Sequence, residues 1–213
     1  MRGRATHSWI WLGGLAFPVA LACGTTGSDA PSGGMDAGAP MTFDATPPMG
    51  SCGAVVQEQA IEGFTHVDVC SVVTYETKPP SSGNHYAVWA AYQSYDAAIP
   101  EGFWVHNLEH GAVVFSYNCP GGCAADVAAA QALIDGLPAD PLCDPTAGDP
   151  VTRMLMTPDP NLDVRFAASA WGWTLRADCF DSATFGAFVQ AHYGNGREPI
   201  CYNGDIPPSC TDP

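Results

Sequence analysis

The chain contains nine cysteines, and this number restricts its fold more than any other feature of the sequence. Cysteines pair in an oxidising compartment, so an odd number leaves one of them without a partner. The first, Cys23, directly follows the small-x-small cleavage signal ALA at residues 20–22. Two arginines and an apolar stretch too short to span a bilayer precede that signal. We therefore interpret residues 1–22 as a signal peptide and expect the protein to be exported.

Cleavage there would make Cys23 the first residue of the mature chain, which is where bacterial lipoproteins carry their lipid. The sequence VALAC resembles a lipobox, although Ala20 and Leu21 differ from the residues usual at those places. We predict lipidation of Cys23 and a protein of the cell envelope, on the periplasmic side or the cell surface, whose membrane contact is this lipid. The alternative is ordinary cleavage that leaves Cys23 free or paired with another molecule.

Lipidation of Cys23 would leave eight cysteines for four disulfides, namely Cys52, Cys70, Cys119, Cys123, Cys143, Cys179, Cys201 and Cys210. Cys119 and Cys123 flank Pro-Gly-Gly and are close enough for a local loop. Cys201 with Cys210 would close the tail, and Cys52 with Cys70 and Cys143 with Cys179 then remain. Spacing alone leaves many other pairings open. A CxxxC pair with a distant histidine also resembles copper-delivery proteins of the thioredoxin type, but no βαβ pattern accompanies it.

The strongly negative charge of the chain argues against nucleic acid as a partner. The formal net charge is −15, and removal of the two arginines of the signal peptide makes it −17. Such a chain repels phosphate backbones and anionic head groups, so we expect no nucleic-acid binding. Residues 24–50 have almost no large apolar side chains and are interpreted as a flexible tether between Cys23 and the folded domain.

Residues 51–213 are predicted to form a single α+β domain with a short C-terminal tail. Alternation and β-branched residues predict strands at 65–75, 111–117, 151–157 and 164–176, the last with a bulge at Gly172. Helices are predicted at 123–138 and 181–194, with Asp181 as the N-cap of the second. The segment 85–95 fits a short helix or an aromatic loop. Because strands and helices do not alternate, we expect a mainly antiparallel, disulfide-stapled sheet with helices packed on it.

The segment VHNLEHGAVVF, residues 105–115, contains two candidate metal-binding histidines and a glutamate beside the second. His106 and His110 lie four residues apart, which on a helical turn places both imidazoles on one face, with Cβ atoms roughly 5–6 Å apart. Such a pair can share one metal ion. Glu109 would point away from that face, so we predict that it orients an imidazole. HNLEH also matches the HxxEH pattern of inverted zinc peptidases, but Gly111 ends the turn that those enzymes continue as a long helix.

Two further histidines are candidate ligands. His85 ends the turn PPSSGNH, and His66 begins the first predicted strand. We predict that His85, His106 and His110 bind a transition metal, with His66 as a further ligand. Copper or zinc is expected because both suit imidazole. Met154 and Met156 could add thioether ligands that favour Cu(I), but their alternation on a predicted strand favours core packing.

The segments PPSSGNHYAVW, VHNLEHGAVVFSY, PDPNL, AASAWGW and the late REP resemble the domain-of-unknown-function 3105 family, over roughly residues 62–201. The resemblance implies that positions matching six residues recur: His66, His85, His106, Glu109, His110 and Trp171. It implies a secreted, lipid-anchored or membrane-tethered protein, and it brings no established activity. We place Trp171 with Glu109 beside the ligands. The chain departs from the family at Trp173, where an arginine commonly follows AWG.

Three functions remain open from the sequence. The first is an exported lipoprotein that binds a transition metal, and we do not expect it to be an enzyme. The second is a structural or interaction module whose histidines form a hydrogen-bonded knot, with each ring facing its own partner. The third is a metal-dependent hydrolase. Convergence of three rings on one point would favour the first over the second.

Overall fold

The structure is a computed structural model that describes residues 52–210. The predicted signal peptide, Cys23 and the whole of the tether therefore lie outside the described residues. Three helices are present in the described part, α1 (Glu101–Glu109), α2 (Ala124–Asp135) and α3 (Ser182–His192). The strands are β1 (Val55–Glu58), β2 (His66–Val67), β3 (His85–Tyr86), β4 (Val113–Tyr117), β5 (Met154–Pro158), β6 (Phe166–Ala170) and β7 (Trp173–Ala177). Within residues 52–210, no helix is both long and apolar enough to cross a membrane.

Five strands form one sheet in the order β1-β7-β6-β4-β5. Every neighbouring pair is antiparallel except β4 and β5, which run parallel. The predicted α+β fold with a mainly antiparallel sheet is confirmed. The helices predicted at 123–138 and 181–194 are present as α2 and α3, and the Asp181 carboxylate accepts the backbone N–H of Thr184 as an N-cap.

The sheet is covered on both faces because successive side chains of a strand point to opposite sides. On β4, Val113 and Phe115 join a core cluster with residues of α2 and α3. Val114, between them, packs instead against Leu108 and Trp104 of α1. The helix that carries His106 is therefore fixed to the opposite face of the sheet from α2 and α3.

Two predicted strands differ from the structure. The segment 65–75 keeps only His66–Val67 as strand, paired in parallel with β3, and Val72 is 92% exposed. Alternation predicted a longer strand, but the rest of the segment has no neighbouring strand to pair with. The segment 164–176 forms two strands, β6 and β7, joined at Trp171 and Gly172. Gly172 has φ +74° and lies in the hairpin turn, so the predicted bulge is wrong.

Four disulfides are formed in the described domain, as the cysteine count predicts. The local pair Cys119–Cys123 is confirmed. The other three predicted pairings are wrong, since the structure joins Cys52 to Cys179, Cys70 to Cys210 and Cys143 to Cys201. These links follow the fold rather than the spacing: Cys52 precedes β1 and Cys179 follows β7, and the antiparallel register of these strands brings the two cysteines together.

Candidate metal centre

The C-terminal end of α1 presents the histidines of the HNLEHG segment. All residues of this helix except Glu101 are buried, because its apolar side chains pack on the sheet. The helix ends at Glu109, and Gly111 adopts φ +84° before the chain enters β4. A side chain at Gly111 would meet the Arg153 guanidinium at 2.6 Å, so this turn requires glycine. His106, Glu109 and His110 are thus held between a buried helix and a buried strand.

His66 and His85 come from the two short paired strands. They are directly opposite each other in the parallel register of β2 and β3. Gly83, two residues before His85, has φ +124°, and an added Cβ would lie 2.8 Å from the ring of Tyr75. The His85 side chain is fully buried, whereas that of His66 is 49% exposed. His66 is therefore the ligand candidate on the solvent side.

Four donor groups converge on one place. One side-chain donor atom each from His66, His85, His106 and Glu109 lies within 4.8 Å of all the others. The ring centroids of the three histidines are 4.7 to 5.0 Å apart. Such a His₃Glu group could hold a metal ion. Bonds of about 2 Å place ligand atoms roughly 3 to 4 Å apart, a separation that small side-chain shifts within this group would reach. The convergence is that expected of a metal site.

Backbone carbonyls define the tautomers of the buried rings. His85 Nδ1 lies 2.8 Å from the Gly83 carbonyl oxygen, and His106 Nδ1 lies 2.7 Å from that of Tyr86. A carbonyl oxygen only accepts hydrogen bonds, so each Nδ1 must carry the proton and donate. In the neutral imidazole the lone pair is then on Nε2. This arrangement is the one that orients metal-binding histidines in proteins.

The contact between His85 and Glu109 requires a cation or a proton. His85 Nε2 is 3.1 Å from Glu109 Oε2, and both groups are buried. His66 Nε2 is 3.6 Å from the same oxygen. Because His85 Nδ1 already donates its proton, its Nε2 and the carboxylate are two acceptors facing each other. A positively charged ion between them, or a second proton on His85, would relieve this repulsion.

Burial makes the second proton unfavourable. Burial lowers the pKa of His85, against the opposing effects of its bond to Gly83 and the Glu109 charge. Burial, with the neighbouring His110 and His85, lowers the pKa of His106 to about 3. Burial also lowers the pKa of His110. These rings are neutral at neutral pH, which is the protonation state that binds metals.

Arg197 is a residue of the site that sequence reasoning missed. Its Nη1 lies 2.9 Å from Glu109 Oε1 and 2.6 Å from Glu198 Oε1, so Oε1 faces the guanidinium while Oε2 faces the histidines. The segment is held there because the Glu198 backbone N–H donates to the Glu109 carbonyl. The sequence signal for this residue was the late REP segment, which begins with Arg197. In this chain Trp173 replaces the arginine that commonly follows AWG, so a charge partner had to come from elsewhere. Arg197 lies far from the histidines in sequence.

His110 lies beside the group of four and is not one of its members. Its Nδ1 donates to the Glu198 carbonyl at 2.9 Å, and its buried Nε2 has no hydrogen-bond partner among residues 52–210. Its ring centroid is 4.6 Å from that of His106. Trp171 meets the His85 ring edge-on at 6.3 Å. Met154 and Met156 are buried in the core cluster with α3, which agrees with packing as their role.

Fold and site together define an α+β, disulfide-stapled domain with a buried His₃Glu group that could hold a metal ion. A family model described as Protein of unknown function (DUF3105) matches residues 66–204. The chain belongs to this family, as the sequence resemblance predicted. No curated protein and no solved structure shows a significant match to the chain.

Proposed function

We propose that this protein is an exported lipoprotein, anchored through Cys23, that binds one transition metal ion with His66, His85, His106 and Glu109. The observation that carries the metal-binding proposal is the pair of facing acceptors, His85 Nε2 and Glu109 Oε2. A metal ion between them converts a repulsion into two coordinate bonds. The neighbouring His106 and His66 then supply the remaining ligands.

We propose Zn(II) or Cu(II) as the ion. Three imidazoles and one carboxylate suit both divalent ions. Cu(I) would be favoured by thioether ligands, but Met154 and Met156 pack in the core. The outer position of His66 leaves the ion reachable from solvent on one side. His110 is the candidate for a fifth ligand beyond these four, because its unpartnered Nε2 lies next to His106.

A hydrogen-bonded knot is the second candidate, and one observation favours it. Each buried imidazole is bonded to a backbone carbonyl, and Arg197 neutralises Glu109. These bonds would hold the SGNH and HNLEHG loops together without any ion. The knot does not require the Nε2 atoms to share a centre, however, and it leaves His85 Nε2 facing a carboxylate.

Replacing the most exposed ligand separates the two candidates. His66→Ala should leave the fold intact and weaken Zn(II) or Cu(II) binding at least tenfold, since one of four ligands is lost. His192→Ala is the matched control, because His192 stacks on Trp173 and lies outside the His₃Glu group. Calorimetric titration of metal-free protein should give one ion per chain for wild type and control. Equal binding by His66→Ala and wild type, or no stoichiometric binding, would support the knot.

Two further measurements test the remaining parts of the proposal. His110→Gln should alter the electron paramagnetic resonance spectrum of bound Cu(II) if His110 is a ligand, and leave it unchanged if not. Mass spectrometry of the mature protein should find an acylated N-terminal Cys23. A Cys23→Ser variant should lose partition into detergent, and a non-acylated wild-type N-terminus would remove the lipid anchor from the proposal.

A further inference from the structure

A second polar cleft lies at the opposite end of α1 from the histidines. It has a volume of about 520 Å³ and is lined by Tyr75, Tyr86, Ile99, Glu101, Asp159 and Asn161, among others. Glu101 begins α1, and Asp159 and Asn161 belong to the PDPNL segment that follows β5. None of the four members of the His₃Glu group lines this cleft. It is therefore a separate place in the fold.

One carboxylate oxygen in this cleft lacks a partner. Asp159 is only 4% exposed, and its Oδ1 accepts the Asn161 backbone N–H at 2.9 Å. Its Oδ2 is buried and has no hydrogen bond to any of the described residues. Native proteins rarely leave a buried carboxylate oxygen unsatisfied, because removing it from water without a compensating hydrogen bond is costly. This oxygen needs a donor that the described residues do not supply.

A second carboxylate is coupled to it. The Asn161 side-chain amide donates to Glu101 Oε1 at 3.2 Å, so Asn161 links the two acidic groups. Burial and the charge of Asp159 raise the pKa of Glu101, and burial raises that of Asp159. Lys78 is close enough to oppose both shifts, yet no basic side chain of residues 52–210 forms an ion pair with either carboxylate.

We propose that this cleft binds an alkylammonium group, with Asp159 and Glu101 as the acceptors of its N–H donors. A primary ammonium has three donors, which match the unpartnered Asp159 oxygen and the Glu101 carboxylate. The walls fit an attached apolar chain, since the cleft is far larger than one metal ion and also includes Val73 and Ile99. Tyr75 and Tyr86 also line the cleft, and tyrosine rings attract cations.

The walls of the cleft are already formed without a ligand. The Tyr75 hydroxyl donates to the Asn84 carbonyl and the Tyr86 hydroxyl donates to the Ser71 carbonyl, so both rings are held in place. The Cys70–Cys210 disulfide fixes one edge. These walls need little ordering on binding, whereas the Asp159 carboxylate must turn its buried Oδ2 toward the cleft to accept from a ligand.

Titration with n-pentylammonium at constant ionic strength tests this proposal. Protein NMR should show saturable shifts with a dissociation constant of about 1 mM, whereas the neutral isostere 1-pentanol should bind at least tenfold more weakly. Asp159→Asn and Glu101→Gln should each weaken binding about tenfold or more. Glu58→Gln, an exposed glutamate on β1, is the matched control and should bind as wild type does. Nα-acetyl-lysine amide, titrated in parallel, distinguishes a peptide side chain from a free amine as the source.

The outcomes that refute alkylammonium binding leave the metal-binding proposal unaffected. Absence of saturable binding by folded wild-type protein, or equal binding by Asp159→Asn, Glu101→Gln and wild type, would refute it. Binding of Ca²⁺ but not of either amine at the same carboxylates would refute the ligand class. The His66→Ala variant should bind n-pentylammonium as wild type does, so failure of one site is distinguishable from failure of the other.

Discussion

At the scale of single residues, three backbone carbonyls decide which nitrogen each buried histidine can offer to an ion. The carbonyls of Gly83, Tyr86 and Glu198 take the Nδ1 protons of His85, His106 and His110. Each ring therefore has the lone pair of Nε2 available for coordination before any ion binds. Such prior orientation lowers the entropic cost of coordination.

Arg197→Gln should destabilise the metal-free protein more than the metal-bound protein. Glu109 is 1% exposed, and removal of its cationic partner leaves a buried carboxylate beside acceptor nitrogens. We expect a loss of about 1–3 kcal/mol in the free energy of unfolding without metal, and a larger gain in Tm on adding Zn(II) than in wild type.

Arg165→Gln is the matched control, because its pair with Asp126 is exposed and 3.7 Å long. Its effect should stay within about 1 kcal/mol and should be the same with and without metal. Equal metal-induced gains in Tm for Arg197→Gln and wild type would contradict a role for Arg197 at Glu109.

The lowered histidine pKa values give the metal-free protein a defined pH dependence. At His106, the unfolded chain binds more protons than the folded chain between pH 6.5, the ordinary pKa, and about 3, the pKa in the folded state. The free energy of unfolding should therefore fall as the pH falls below 6.5. Urea unfolding at a series of pH values, with a metal chelator present, measures this free energy. In the His106→Gln variant it should decrease less steeply with falling pH than in wild type. A parallel decrease in both proteins would assign the effect to other groups.

At the scale of elements, the end of α1 is held by the C-terminal segment. Gly194 donates its backbone N–H to the Gly111 carbonyl, and Glu198 donates to that of Glu109, both at 2.9 Å. Gly196 lies between these bonds. A Cβ there would be 2.2 Å from the Gly111 nitrogen, a distance that requires the backbone to move. This close approach is what brings Arg197 to the site.

Gly196→Ala should therefore damage both stability and the site. We expect a loss of about 3 kcal/mol or more in the free energy of unfolding, because two backbones cannot separate without breaking their hydrogen bonds. Gly121→Ala is the control, since an added Cβ there meets nothing within 4 Å. Chemical denaturation of both variants checks this, and equal midpoints would show that the segment does not pack on the helix as described.

At the scale of the whole molecule, disulfides hold distant parts of the chain around the site. Cys143–Cys201 closes a separation of 58 residues, and its second cysteine lies four residues after Arg197. Cys119–Cys123 closes a separation of only four residues. In the chain-entropy model the longer link restricts the unfolded state more. The two links should therefore differ in their effect on both stability and metal binding.

Removing these disulfides one at a time measures that difference. Cys143→Ala with Cys201→Ala should cost about 4 kcal/mol, and Cys119→Ala with Cys123→Ala about 2 kcal/mol. Only the first pair should weaken metal binding, since it releases the segment that carries Arg197. Equal losses of metal affinity in the two double variants would indicate a general effect of destabilisation instead.

Part of the site can be predicted from the sequence. His106, Glu109 and His110 share one segment, and the recurrence of His66 and His85 came with the family resemblance. Helical spacing indicated that His106 and His110 would share an ion, but the group of four includes Glu109 instead. Arg197 was missed because its partner Glu109 is 88 residues away in sequence. Sequence spacing shows only which residues share a face of one helix. The ligand atoms of this site come from α1, β2 and β3, and the C-terminal tail adds Arg197.

Cysteine number, hydrophobic pattern and the HNLEHG segment by themselves determined a disulfide-stapled α+β domain with a histidine-rich site. These signals are local, since periodicity and turn residues act within a few positions of each other. The three long-range disulfide pairings, the hairpin at Gly172 and the His₃Glu convergence were decided only by the tertiary structure. They depend on contacts between distant segments, foremost on which strands pair and in what register, and that pairing follows from burying both faces of one sheet at once.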